Sequence, residues 1–129
     1  MVQGRPSKEQ KMKMIEKTVA IIGDKWSLLI IGQLAFVKSP SRFNELMRAL
    51  NPISSRTLSI KLANLSDNKV VEKTVVGDSP PYTGYSLTAK GIDLVDAFRA
   101  MAEWSKKWQS SDGYDEYKEI TATSIRARE

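Results

Sequence analysis

Helical spacing of apolar residues runs from Lys11 to about Asn68 and then stops. The next residues, VVEKTVV (70–76), are β-branched and read as a strand. Gly77-Asp78-Ser79-Pro80-Pro81 is turn chemistry, and YTGYSL (82–87) reads as the returning strand. Helical spacing resumes after Thr88, whose hydroxyl can cap a long helix, AKGIDLVDAFRAMAEWSKKWQ (89–109). The order is therefore four helices, one hairpin and one more helix, with no internal repeat.

The helices have legible ends. The first is expected from Lys11, with Ile15, Val19 and Ile22 on one face, and Gly23 stops it. Asp24 can cap the second, KWSLLIIGQLAF, which is apolar on most sides and so expected at the centre. VKSPS is a loop, and Ser41 is expected to cap RFNELMRAL, where Phe43, Leu46, Met47 and Leu50 form a stripe. Asn51-Pro52 ends that helix, because proline lacks the N–H and disfavours helix at the residue before it. Ser54 or Ser55 then caps a fourth helix. Helices followed by a hairpin make a mainly α chain with a small β-hairpin, a winged helix-turn-helix. The third and fourth helices form the helix-turn-helix around the short connector NPIS. Residues 1–10 read as a flexible arm, 11–109 as the domain with its dimerisation helices, and 110–129 as a tail.

In a winged helix-turn-helix the fourth helix would be the reader, with its N-terminal end in the DNA major groove. With Leu58 at the centre of its buried side, Leu62 and Leu65 fall within about 40° of it. Arg56, Ile60 and Asn64 then lie opposite, and Thr57, Ser59 and Lys61 on the flanks; no acid occurs from Ser54 to Asn64. Arginine can bond two acceptors of guanine at once, Ser, Thr and Asn bond bases or phosphates, and Ile60 can touch a thymine methyl. Free N–H groups at Ser54 and Ser55 favour a phosphate. A merely solvated face would look similar; the hairpin behind it favours DNA. Lys25, Lys38, Arg42, Arg48, Lys69 and Lys73 are candidates to ring this face. On the wing Lys73, Ser79 and Tyr82 are the candidates, although Asp78 repels phosphate and Pro80-Pro81 stiffen the tip.

The sequence excludes more chemistry than it suggests. Its 129 residues contain no cysteine and no histidine, so there is no disulfide, thiolate nucleophile, Cys/His metal site or Ser-His-Asp triad. An enzyme would need Ser-Lys or paired carboxylates, but Ser59 and Lys61 do not share a helix face, and Asp67 and Glu72 have no evident pocket. No cofactor or metal is called for. The net charge of +5 favours anionic partners, nucleic acid before a membrane surface. The tail after Ser110 is net acidic, so the positive excess lies in the body. No apolar run reaches the ~20 residues of a bilayer span, and the expected location is the cytoplasm. A winged helix used for protein association without DNA binding is the competing reading.

The last helix carries Leu94, Val95, Phe98, Met101, Trp104 and Trp108 over about half its circumference, wider than the ~100° stripe of a helix packed on one core. The first helix, with Met12, Met14, Ile15 and Val19, has surplus apolar residues too. A symmetric homodimer through Met14, Ile15, Val19, Met101, Trp104 and Trp108 would cover both. Trp26, Trp104 and Trp108 could instead line a site for a small-molecule effector, though plain aromatic packing accounts for them more simply.

GDKWSLLIIGQL, RFNELMRALNPISSRTLSIKLANL, PPYTGYSLTAKG and AEWSKKW, in that order, resemble the HxlR-type transcriptional regulators, a branch near the MarR-like winged-helix proteins. The resemblance runs from about Ile15 to Trp108. It implies a dimeric prokaryotic regulator of palindrome-like operators, with Ser55, Arg56, Thr57, Ile60 and Lys61 on the recognition helix. It also implies a wing from Lys73 to Tyr82, and terminal helices in the dimer interface. Two departures stand out. Several relatives sense aldehydes or oxidants with a cysteine near the first helix, which is absent here. Tyr82 stands where a basic residue often follows the two prolines.

Overall fold

A computed structural model describes residues 4–109. The elements are α1 (Lys8–Ile22), α2 (Lys25–Ala35), α3 (Phe43–Ala49), α4 (Ser55–Asp67), β1 (Val71–Val76), β2 (Tyr82–Leu87), α5 (Ala89–Ile92) and α6 (Val95–Trp108). The expected winged helix-turn-helix is present, mainly helical with one two-stranded antiparallel hairpin. The expected tail (110–129) lies outside the described residues.

α2 is the spine of the core. Its Ile30, Ile31, Leu34 and Ala35 are buried with Leu46 of α3 and Leu58, Leu62 and Leu65 of α4. Val70, Val71 and Leu87 from the hairpin base and Val95 of α6 close the cluster. The Asp24 carboxylate accepts from the Ser27 N–H at 3.0 Å and so caps α2, as its position before the apolar run suggests. α1 and α2 bend by 83° at Gly23-Asp24. No single helix among the described residues is long and apolar enough to cross a membrane.

Three expectations are corrected. α1 begins at Lys8, not Lys11, because Ser7 and Gln10 form a reciprocal capping box; the last three residues of the expected arm are helical. Ser41 does not cap α3. It forms an isolated antiparallel bridge with Tyr85, each N–H donating to the other's carbonyl at 2.8 Å, which ties the loop before α3 to the hairpin. The N-cap of α3 is Arg42, whose N–H donates to Glu45 at 3.0 Å. Pro40 reaches the hairpin because position 84 is glycine: a Cβ there would lie 2.5 Å from the Pro40 Cβ. Finally, the long last helix is two helices. Asp93 and Leu94 keep right-handed dihedrals, but Leu94 and Ala97 donate three residues back, to Gly91 and Leu94, which interrupts the regular α-helix. On the α5 side Gly91 lies against the hairpin base, where any Cβ would overlap the Val70 carbonyl.

The joint between α4 and the hairpin is a Schellman turn. The Val70 N–H donates to the Leu65 carbonyl at 2.9 Å and the Lys69 N–H to Ser66 at 3.0 Å. Val70 and Leu65 are both buried. Lys90 donates to the Asn68 carbonyl at 2.8 Å, and the Thr88 hydroxyl reaches the Lys69 carbonyl. The turn puts Lys69 at φ 62, the left-handed region where glycine is favoured. Lys69→Gly is therefore expected to stabilise the domain by up to ~1 kcal/mol, and Lys69→Val to destabilise it by a similar amount or more. Urea midpoints of the two variants against the parent check both signs.

Candidate DNA interface

Ser54 is the N-cap of α4. Its Oγ accepts from the Thr57 N–H at 3.0 Å and donates to the Thr57 hydroxyl at 2.9 Å. These two hydroxyls thus serve the helix end first, and Thr57 is half-buried. Leu58, Leu62 and Leu65 are the buried face, as their spacing predicts. Ser55, Arg56, Ser59, Ile60 and Asn64 are exposed, Ile60 by 47%. The first turn of α4 has no acid, and Arg56 has no ion-pair partner among the described residues. This face combines an uncommitted guanidinium with hydroxyl, amide and apolar groups, the set that can address base edges in a major groove.

Lys61 behaves differently from its neighbours. Its ammonium lies 3.2 Å from the Asp24 carboxylate, and its side chain is only 27% exposed. The acid that meets α4 comes from the start of α2, out of sight of any count along α4 itself. Partial burial pushes the Asp24 carboxyl up, but hydrogen bonds from Ser27 and Lys61 outweigh it and hold the group below its ordinary value. A depressed carboxylate contributes stability above its unfolded-state value and loses it only as pH falls through the folded one. The pair is thus intact at neutral pH.

The flanking candidates fall into two groups. The Arg42 guanidinium stacks 4.1 Å from the Tyr82 ring centroid, with the Glu45 carboxylate 4.0 Å away. The Tyr82 hydroxyl lies 3.5 Å from the Pro40 carbonyl. Arg42 and Tyr82, named separately from the sequence, are thus one unit joining the start of α3 to the wing. Lys73 is exposed and 5.9 Å from the Tyr85 ring; Lys25 is exposed and 4.7 Å from the Trp26 ring. Ser79 is exposed on the wing loop. Lys38, Arg48 and Lys69 are exposed as well. Sequence reasoning missed Asp24 as a member of this region: its capping role was legible, its second partner was not.

The terminal helices leave large apolar groups uncovered. Met12, Met14, Ile15 and Val19 of α1 are 47–56% exposed, and Met101, Trp104 and Trp108 of α6 are 48–66% exposed. A groove of about 440 Å³ runs along Met14, Ile15, Thr18, Val19, Ile22 and Leu28. Trp26 packs against the core, while Trp104 and Trp108 are exposed on α6.

A family model described as HxlR-like helix-turn-helix matches residues 21–113. The uncharacterized HTH-type transcriptional regulator YvaP of Bacillus subtilis (strain 168) is 36% identical over 93 residues, 72% of this chain and 84% of that one. The HTH-type transcriptional regulator YodB of the same strain is 32% identical over 94 residues, 73% and 82% of the two chains. Among solved structures, a MarR-family transcriptional regulator from Enterococcus faecalis V583 superposes with a TM-score of 0.68 at 28% identity. It covers 81% of this chain and 94% of that one. The reduced form of YodB gives 0.65 at 28% identity, covering 82% and 97%.

Proposed function

The chain belongs to the HxlR-like helix-turn-helix family of transcriptional regulators, and from that premise we propose that it binds a palindrome-like operator as a homodimer. The exposed, acid-free face of α4 carries this reading. Arg56, Ser59, Ile60 and Asn64 are its base-reading residues, with Ser55 and the free N–H groups of the first turn on phosphate. Lys25, Arg42 and Lys73 supply further phosphate contacts, and Ser79 and Tyr82 the wing contacts. The dimer reading is supported by the uncovered large apolar residues of α1 and α6, a kind of exposure that marks interaction surfaces. Met14, Ile15, Val19, Met101, Trp104 and Trp108 are its interface.

Relatives include proteins solved as a redox regulator, HypR, and as quinone-bound YodB. With no cysteine, this chain has no thiol through which to sense an oxidant or alkylating agent. Any effector of this regulator acts without covalent thiol chemistry.

Selection of bound duplexes from a random pool tests the reading. The expected product is a palindromic consensus with half-site centres one DNA turn apart, roughly 10–10.5 base pairs. Sedimentation of the free protein should give a dimer. Recovery of no enriched sequence, with binding indifferent to salt, would remove DNA reading; an asymmetric single site would remove the dimer.

A further inference from the structure

The Lys61–Asp24 pair separates two cations that the sequence of α4 presents as equivalent. Arg56 stands exposed on the outer face without a partner among the described residues, while Lys61 is drawn across its flank onto the start of α2. Asp24 is placed for this by two constraints independent of Lys61. It follows the 83° bend at the end of α1, and its carboxylate is anchored by capping α2 at the Ser27 N–H. The neighbouring lysine does not compete, since Lys25 lies over the Trp26 ring. Asp24 is therefore a fixed anion aimed at the one lysine in the middle of α4.

We infer that Asp24 is a specificity-determining residue of the DNA interface: by holding Lys61 it keeps a mobile cation off the phosphates next to the reading face. This rests on the DNA-reading function proposed above. The chemistry of the two cations explains why such a restraint matters. A guanidinium discriminates between bases through paired hydrogen bonds, whereas an ammonium on a flexible stem is a point charge that satisfies any phosphate. Phosphate contacts of that kind strengthen binding to every sequence alike and raise the non-specific background. Lys61 in its pair leaves discrimination to Arg56 and its neighbours; Lys61 released would add affinity without information. The pair also ties the recognition helix to the α1–α2 corner, from which the apolar face of α1 extends.

Asp24→Asn tests this cleanly, because asparagine caps a helix as well as aspartate and only the charge is removed. Binding to the selected operator and to a random duplex is measured between 50 and 200 mM salt. The expected result is a salt slope steeper by about 0.9, an extra loss of about three- to fourfold in affinity across that range. The preference for operator over random duplex should fall. Lys61→Met in the Asp24→Asn background should restore the parental slope, and Lys61→Met alone should leave it unchanged. A parental slope lowered by about 0.9 in Lys61→Met alone would place Lys61 on phosphate already and overturn the inference, leaving DNA reading intact. An unchanged slope in a folded Asp24→Asn would overturn it too. Failure of the parent to bind any duplex at low salt would overturn both the inference and the function beneath it. Should Asp24→Asn not fold, Asp24→Ser, which also caps without charge, takes its place with the same expected slope.

Discussion

Leu58→Ala is expected to cost about 2–5 kcal/mol of folding stability. The side chain is fully buried, in the first turn of α4, within the cluster that α2, α3 and the hairpin base share. Alanine is the better helix former, so no loss of helical propensity enters; the cost is lost burial plus whatever cavity the rigid surroundings leave open. A domain of this size has only about 5–15 kcal/mol in total, so the urea midpoint should fall sharply at constant slope. Ile60→Ala is the control. Two residues on, and 47% exposed, it should cost under about 1 kcal/mol. Equal losses at the two positions would mean that α4 is not seated as described, and the reading face with it.

That face was legible because it follows from local rules. Three leucines at helical spacing define one side, and whatever lies opposite must be outward. The caps of α2, α4 and α5 were equally local, each a side-chain oxygen three residues before the N–H it meets. The hairpin bounds rested on β-branching and a proline-rich turn. What escaped is non-local in each case. Ser41 looked like a cap because serine before a helical stripe usually is one; its bridge to Tyr85 depends on Gly84 admitting Pro40, a contact 44 residues away in sequence. The break before Val95 leaves no mark in the apolar spacing, which continues unbroken through it, and the close approach of Gly91 to the Val70 carbonyl joins residues 21 apart in sequence. The helix angle of Lys61 places it on a flank and no more, and only the fold brings Asp24 beside it. Arg42 and Tyr82 are each legible as candidates, but nothing in their spacing pairs them. Periodicity reports which way a side chain points from its own element; it carries no information on what another element places there.

Arg56→Ala is expected to reduce affinity for the selected operator by about 1–3 kcal/mol, roughly 5- to 150-fold, and to relax base choice at one position in each half-site. Its stability should match the parent, since the guanidinium is exposed and has no ion-pair partner among the described residues. The pattern of the loss is more informative than its size. A base-reading arginine loses the operator and leaves random duplex nearly unaffected. A phosphate-binding one weakens both alike and lowers the salt slope by about 0.9. Arg56→Lys separates the two further, because lysine restores the charge but not the rigid planar fork of donors that fits guanine's two acceptors best. A uniform loss on both duplexes in Arg56→Ala that Arg56→Lys reverses would therefore assign Arg56 to the backbone and shift base reading to Ser59, Ile60 and Asn64. Persistence of the loss would leave the guanidinium geometry as its cause. No change on Arg56→Ala would remove Arg56 from the interface altogether.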